Sequence, residues 1–420
     1  MNNNDQHIAP AFSSYQKLLI ALLALLQFTV ILDFMVLSPL GDVLMKSLSI
    51  SPSGFGLVVS SYAFSAGASG ILAAGFAAKL DRKKLLLFLY SGFILGTLCC
   101  ALANSYHMLL AARVVTGLFG GVIGSISLAI VTDLFAINQR GRVMGFIQMA
   151  FAASQVLGIP IGIYLANLWG WHSSFLMIVI LAIFIFLVIL FKVKPIDAHL
   201  SIKSEKSAML HFMHTLSNRS YLTAFSATAL LSVGGFMLMP FGSAYLINNI
   251  KITAEQLPLV FMFTGIASII IMPIIGKLSD RIDKFKLFTG GSILAIIMIV
   301  IYTNLSVTPL WEIVVINMIL FMGIMSRMIP ATTLTTSVPE MKDRGAFMSI
   351  NSSLQQMAGG IAAVCAGLLV SQKTPSSPLE HYDILGVVVS VVIVACIFLV
   401  YQVSVIVNKK LDQSYQVSEI

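Results

Sequence analysis

Long apolar segments recur along the whole chain, and they constrain its fold more than any other feature. A helix that crosses a lipid bilayer needs about 20 mostly apolar residues, and segments of this kind follow one another down the sequence. The stretch FLMIVILAIFIFLVILF at 175–191 is uniformly apolar, whereas a membrane-spanning strand would alternate over about ten residues. Backbone polar groups in lipid need partners within the segment, so the sequence predicts an all-α membrane protein.

Twelve such segments are expected, and the composition agrees with this prediction. The chain is 58% hydrophobic and only 10% charged, whereas about a quarter of the residues of a soluble domain are charged. The predicted spans are 17–40, 54–76, 84–104, 107–132, 143–167, 175–193, 220–248, 256–276, 287–305, 309–335, 345–370 and 384–408.

The distribution of lysine and arginine predicts the orientation. If the N-terminus is cytoplasmic, the cytoplasmic segments hold most of the 25 basic residues, and the outer loops hold only Lys46, Lys251 and Lys373. This asymmetry places both termini in the cytoplasm. The net charge of +8 therefore reflects membrane orientation rather than nucleic-acid binding.

The two halves of the chain repeat one plan. Asp81-Arg82 aligns with Asp283-Lys284, and QRGRVMGF at 139–146 aligns with DRGAFMSI at 343–350. The predicted units are an N-terminal six-helix bundle at 1–193, a cytoplasmic linker at 194–219, a C-terminal six-helix bundle at 220–408 and a cytoplasmic tail at 409–420. Transporters built from such repeats bind their substrate between the repeats near the membrane midplane.

Several motifs make the chain resemble the major facilitator superfamily, in particular its twelve-span drug:proton antiporters. Span 4 carries Arg113 and Gly117, span 5 carries GIPIG at 158–162, and WGWHSSF at 169–175 is similar to an outer-loop motif of the family. The resemblance implies a fold of two six-helix bundles and transport by alternating access. It also implies that Gly158, Pro160 and Gly162 allow close packing and bending of span 5.

The loops after spans 2 and 8 resemble the charged gate motif of the family. The second copy has Asp280, Arg281 and Lys284, whereas the first has Ala78 at the position of Asp280, followed by Asp81 and Arg82. In the family this network closes the cytoplasmic side, so Ala78 predicts a weakened cytoplasmic gate. Two alternatives stay open: the loop is only a basic cluster that sets topology, or Asp81 takes over the role.

Only three charged residues lie well inside the predicted spans: Asp33, Arg113 and Arg327. At about 1.5 Å per residue, Asp33 and Arg113 come to similar depths in the outer half of the membrane. The family resemblance implies that spans 1 and 4 meet at the cavity, so these two residues are expected to pair. A movement of Arg113 would change the proton affinity of Asp33, so this pair is predicted to couple transport to protons. A permanent structural ion pair and direct recognition of a cationic substrate are the alternatives.

Arg327 is predicted near the cytoplasmic end of span 10. It either extends to the membrane interface or bonds carbonyl groups at a helix end, or it faces the cavity and meets an anionic group of the substrate. The remaining cavity candidates are polar and aromatic side chains on spans 1, 7 and 11, which either bind substrate or join helices: Gln27, Phe34, Phe236, Met239, Tyr245, Asn351 and Gln355.

The best interpretation is a proton-coupled efflux transporter for small amphipathic molecules in a bacterial inner (plasma) membrane. A transporter of a specific organic anion or metabolite is the alternative, and a non-transporting sensor of the same fold is a third. No nucleophile–base set, metal-ligand cluster or phosphate-binding loop occurs, so an enzyme, a metal site and a cofactor are not expected. The predicted partners are a small-molecule substrate, protons and the lipid bilayer, and the expected form is a monomer.

Overall fold

A computed structural model describes residues 12–76, 80–197, 215–340 and 343–418 of the chain. Within them, twelve helices are long and apolar enough to cross a membrane, which confirms the predicted all-α membrane fold. The α-helices of the described residues are Ser14–Val36, Gly41–Leu48, Pro52–Phe76, Arg82–Ala101, Tyr106–Leu134, Ile137–Ala153, Ile159–Trp169, His172–Lys192, Arg219–Phe236, Gly242–Asn248, Leu257–Arg281, Lys284–Thr303, Leu310–Ser337, Arg344–Leu369 and Tyr382–Ser418. Ile137–Ala153 and Ile159–Trp169 together make span 5, and Arg219–Phe236 and Gly242–Asn248 together make span 7. Gly41–Leu48 lies between spans 1 and 2. We keep the span numbers 1 to 12 and call spans 1–6 the first half and spans 7–12 the second half.

The first span of each half is interrupted near a proline; span 7 keeps its predicted extent, Arg219–Asn248, whereas span 1 ends early. Span 1 ends at Val36 rather than at residue 40, and the separate short helix Gly41–Leu48 follows Pro39. Span 7 breaks after Phe236, and a 3-10 turn containing Pro240 leads into the helix Gly242–Asn248. Proline has no N–H to continue the helical ladder, so the repeat produces the same interruption twice.

Span 12 is longer than predicted at the opposite end. Its helix continues to Ser418, through the expected boundary of the span at residue 408. The segment after Lys410 is therefore helical, where the sequence analysis expected a separate tail.

The loops divide the molecule into two ends. The basic end holds the lysine- and arginine-rich loops that follow spans 2, 4, 6, 8 and 10, and the distal end holds the loops that follow the odd-numbered spans. Span 2 packs against span 11, and span 5 packs against span 8. These two helix pairs join the halves.

Glycines bring spans 2 and 11 close together. A Cβ on Gly56 would lie 2.6 Å from the carbonyl oxygen of Ala363, and a Cβ on Gly67 would lie 2.7 Å from Met357. Among the residues of span 11 that the glycines of span 2 contact, Ser353 lies nearest the basic end. It is nine residues after Arg344, where span 11 begins, or about 14 Å along the helix. In the described residues the halves thus meet at the distal end and in the middle, and the structure is closed at the distal end.

Candidate functional site

Asp33 and Arg113 form an ion pair in the interior of the first half. Arg113 Nη1 lies 2.7 Å from Asp33 Oδ2, and both side chains are completely buried. Thr97 on span 3 donates a hydrogen bond of 3.2 Å to Asp33 Oδ1. The structure therefore brings together the two residues that were predicted as a pair from their depth and from the family resemblance. Their role in proton coupling stays a prediction.

Close packing between spans 2 and 4 positions Arg113. A Cβ on Gly117 would lie 2.4 Å from the carbonyl oxygen of Tyr62, and one on Gly121 would lie 2.5 Å from Ala66. Because these glycines let span 4 approach span 2, the ring of Tyr62 reaches the guanidinium, 4.6 Å from its centroid to Arg113 Cζ. An aromatic face at this distance attracts a cation.

Arg113 has donors that the pair does not use. Its Nε and Nη2 atoms are buried without an oxygen acceptor among the described residues. A guanidinium stays charged in proteins, so Arg113 depends on the charge of Asp33. Loss of that charge would leave a buried cation without a counter-ion, which is strongly unfavourable.

Aromatic side chains close the space between the halves on the distal side of this pair. The ring of Phe34 lies 5.3 Å from that of Tyr62 and 5.6 Å from that of Phe236 in the other half. Met239 contributes its backbone carbonyl, which accepts a hydrogen bond from Ser38. Of the predicted cavity residues, Phe34, Phe236 and Met239 are thus brought to the junction of the halves.

Buried amide oxygens without partners lie in both halves. Gln27 Oε1 and Asn351 Oδ1 have no hydrogen-bond donor among the described residues, and Gln355 is half-buried on the same helix as Asn351. Gln155 on span 5 was not predicted; its Oε1 is likewise buried and has no donor among the described residues. Its position in an apolar span, close to the GIPIG motif, was the available signal.

Tyr245 does not line this space. Its side chain is buried, and its ring stacks on Tyr382 of span 12 with the centroids 4.1 Å apart. Its hydroxyl donates to the carbonyl of Leu305 at 3.1 Å. The prediction of Tyr245 as a cavity residue is therefore corrected: it belongs to a tyrosine cluster inside the second half.

Arg327 lies along span 10 close to the depth predicted, but its side chain is enclosed by neighbouring helices. Span 10 runs from Leu310 to Ser337, so Arg327 is ten residues, about 15 Å, from the basic end of its helix. Its side chain is buried, Nε donates to Ser292 Oγ at 3.1 Å, and Cζ lies 5.7 Å from the centroid of Phe288. Extension to the membrane interface is therefore ruled out, since Arg327 is packed among the helices of the second half.

Span 5 contains a π-helical turn, Ser154–Gly158, immediately before the GIPIG residues. A Cβ on Gly158 would lie 2.6 Å from Leu32, and one on Gly162 would lie 2.9 Å from Val36. These glycines pack span 5 closely on span 1, beside Asp33. Pro160 lies in the first turn of the helix Ile159–Trp169, where its missing N–H is tolerated.

The π-helical turn also touches the second half. A Cβ on Gly265 of span 8 would lie 3.0 Å from the backbone of Gln155 and Val156. Single π-helical turns inside α-helices are frequent at functional sites. The turn in span 5 lies where the ion-pair helix of one half and span 8 of the other converge.

At the basic end, Asp81 and Arg82 have separate partners. Asp81 caps span 3 by accepting from the backbone N–H of Lys84 at 2.9 Å, while Arg82 Nε lies 3.2 Å from Asp133 on span 4. Asp133 was not predicted as a gate residue. Ala78 lies outside the described residues, so the weakened gate stays a prediction.

The second copy of the gate motif repeats the cap. Asp283 accepts from the backbone N–H of Lys286 at 2.9 Å, 202 residues after the same bond in the first half. Lys284 begins span 9, and Asp280 and Arg281 are exposed at the end of span 8. Both gate copies thus lie at the basic end of the molecule.

Two buried carboxylates near the helix ends were also missed. Asp42 accepts from Asn248 of the other half, and Asp343 accepts from the Tyr221 hydroxyl at 2.8 Å. The i,i+4 pair of Asp42 and Lys46 was a readable signal. The partners Asn248 and Tyr221 were not, because they are more than a hundred residues away along the chain.

Comparison with known proteins agrees with this architecture. A family profile described as Major Facilitator Superfamily matches residues 23–364 and 224–411. An uncharacterized MFS-type transporter, YbcL of Bacillus subtilis, is 23% identical over 90% of this chain and 95% of its own. A probable sugar efflux transporter of Mannheimia succiniciproducens is 24% identical over 64% of this chain and 66% of its own.

Solved structures share the fold at low sequence identity. A bacterial homologue of the human lysosomal transporter Spinster, in an inward-facing and unoccupied conformation, gives a TM-score of 0.76 at 15% identity, covering 95% of this chain and 99% of that one. A D-xylose–proton symporter gives a TM-score of 0.73 at 14% identity, covering 92% and 97%.

Proposed function

The chain belongs to the Major Facilitator Superfamily, and we propose that it is a proton-coupled exporter of small amphipathic molecules. The buried ion pair of Asp33 and Arg113 is the observation that carries this proposal. We further propose that the basic end faces the cytoplasm of a bacterial cell, by the distribution of its lysines and arginines, and that the protein acts as a monomer.

Protonation of Asp33 would change the net charge of the buried pair that it forms with Arg113. The carboxylate is the counter-ion of Arg113, and the guanidinium keeps its charge. Once Asp33 is neutral, a buried Arg113 is uncompensated, so a conformation that brings it to water or to a polar group of the substrate becomes favoured. Protonation and conformational change would then be linked, as antiport requires.

The surroundings of the pair support this coupling. The π-helical turn of span 5 and the aromatic contact between Phe34 and Phe236 lie on the helices that carry or touch the pair. A change in the charge of Asp33 would therefore alter the contacts between the two halves. The charged residues at the basic end, including Asp81, Arg82 and Asp280, are proposed to contact the opposite half when that end closes.

The test is transport by the purified protein in proteoliposomes. With an inside-acid pH gradient, lumenal pH is followed while candidate amphipathic compounds are added. We expect substrate-dependent proton movement in the wild type and in Asp383→Asn, which neutralises an exposed carboxylate at the distal end. We expect its loss in Asp33→Asn. Proton movement that persists in Asp33→Asn would overturn the assignment of Asp33.

A second candidate is export of a specific uncharged metabolite such as a sugar. Relatives named probable sugar efflux transporters favour it, and so do the amide oxygens of Gln27, Gln155 and Asn351, which lack donors in the described structure. Hydroxyl groups of a substrate would supply such donors. Exchange of labelled sugars across vesicles, reduced by Gln27→Leu but not by Gln402→Leu at an exposed position, would favour this candidate over the first.

A further inference from the structure

Three polar side chains at the distal end, Asp42, Lys46 and Asn248, link the two halves. Asn248 Nδ2 donates to Asp42 Oδ1 at 2.5 Å. Lys46 Nζ donates to Asp42 Oδ2 at 2.8 Å and to Asn248 Oδ1 at 3.3 Å. Asp42 and Asn248 are 3% and 4% exposed. The amide of Asn248 is therefore bound at both its nitrogen and its oxygen by charged groups of the other half.

The two short helices that follow the proline breaks carry this cluster. Asp42 and Lys46 belong to Gly41–Leu48, and Asn248 belongs to Gly242–Asn248. The breaks also meet each other: Ser243 Oγ donates to the carbonyl of Ser38 at 3.0 Å, and Ser38 Oγ donates to the carbonyl of Met239. The interface is thus built from equivalent parts of the two repeats.

We propose that Asp42, Lys46 and Asn248 form a lock that holds the distal end closed and is released whenever that end opens. The bond between Asp42 and Lys46 lies within one helix, so it survives a separation of the halves. The bonds to Asn248 cross between the halves and exist only while they are in contact. Hydrogen bonds with a charged partner are the stronger ones, so their loss opposes opening.

An ion pair at the same end provides a matched control. Lys373 Nζ lies 2.9 Å from Glu380 Oε1, but the side chains are 80% and 41% exposed. Both residues belong to the loop between spans 11 and 12, so the pair does not cross between the halves. The hydrogen bond from Lys373 holds the pKa of the Glu380 carboxyl below its usual value. Loss of this pair leaves the contact between the halves unchanged.

The experiment measures the distance between the halves at the distal end. Spin labels are placed at exposed positions by Leu102→Cys in the first half and Val307→Cys in the second, after the four native cysteines are replaced by alanine. The distance distribution between the two spin labels is measured by double electron–electron resonance on the full-length protein in lipid nanodiscs. No substrate or proton gradient is needed, so the outcome is independent of the proposed transport function.

The lock predicts a specific pattern among the variants. Asn248→Leu should raise the population with the longer distance roughly tenfold, because hydrogen bonds to charged groups are lost. The exchange Asp42→Asn with Asn248→Asp should restore the short distance, since Lys46 already reaches the side chain at position 248. Glu380→Gln should match the wild type. An unchanged distance distribution in Asn248→Leu would overturn the proposal. So would an exchange variant that populates the longer distance as much as Asn248→Leu does.

Discussion

The two halves share a scaffold but differ in their deep charges. In the first half Asp33 and Arg113 neutralise each other in the interior, whereas residues 235–237, the range onto which the repeat offsets map Asp33, read Gly-Phe-Met. The deep arginine of the second half, Arg327, is buried with Ser292 and Phe288 as neighbours. A repeat can therefore keep its helices and their ends while, among the described residues, only the first copy carries a deep carboxylate–arginine pair.

The features that did not diverge are those that terminate or interrupt helices. Asp81 and Asp283 cap spans 3 and 9 in the same way, and Pro39 and Pro240 stand at the breaks of spans 1 and 7. These features depend on the local backbone, which is the same in both copies. The deep charges depend on side-chain partners, which are free to differ.

The largest expected effect tests the ion pair itself. Arg113→Leu leaves Asp33 buried without its counter-ion, which should cost about 3 kcal/mol of stability and abolish transport. Thermal unfolding in detergent, followed by tryptophan fluorescence, measures the first effect. Adding Asp33→Asn to Arg113→Leu should recover part of the loss. If the double variant is less stable than Arg113→Leu alone, Asp33 and Arg113 do not stabilise each other.

The packing of spans 1 and 5 should give the next largest effect. Gly158→Ala adds a Cβ 2.6 Å from Leu32, and overpacking of this kind costs about 1–3 kcal/mol. Gly145→Ala on the same span is the control, because a Cβ there meets nothing within 4 Å and alanine favours the helix. The unfolding midpoint should fall in the first variant and stay or rise in the second. Equal midpoints would contradict the close contact.

Removal of either aspartate cap should lower the free energy of unfolding by a similar, moderate amount. Asp81→Ala and Asp283→Ala each remove a side-chain acceptor from a helix N-terminus, at a cost of about 1 kcal/mol. Asp283→Ser keeps an acceptor and should retain most of the stability. Unfolding midpoints that differ strongly between the two alanine variants would show that the repeat does not extend to these helix ends.

The smallest effect is expected at Arg327. Replacing a buried charge that lacks a carboxylate partner by an apolar side chain is often neutral or stabilising, so Arg327→Met should change the free energy of unfolding by about 1 kcal/mol or less. The same thermal measurement checks it. A loss as large as that of Arg113→Leu would mean that Arg327 has a strong counter-ion, and the contrast between the halves would fail.

Asp33 and Arg113 were predicted as a pair because residue counting gives the depth along a helix and because the family resemblance implies that spans 1 and 4 are neighbours. The same counting placed Arg327 along span 10, which begins at Leu310 after Pro309, but it could not predict that the side chain packs against Ser292 and Phe288. It also could not decide rotation about the helix axis, which directs Tyr245 into a tyrosine cluster. The partners of Arg82 and Asp42 required knowledge of which helices are neighbours.

The sequence by itself determined the membrane as solvent, the twelve helices, the repeat and the depths of Asp33 and Arg113, because each follows from hydrophobic length, composition or spacing along one chain. Tertiary structure alone decided that the distal end is closed, that Asn248 meets Asp42, and that the π-helical turn of span 5 touches span 8. Such contacts join residues about one or two hundred positions apart, and they depend on the packing of whole helices. No local pattern encodes that packing.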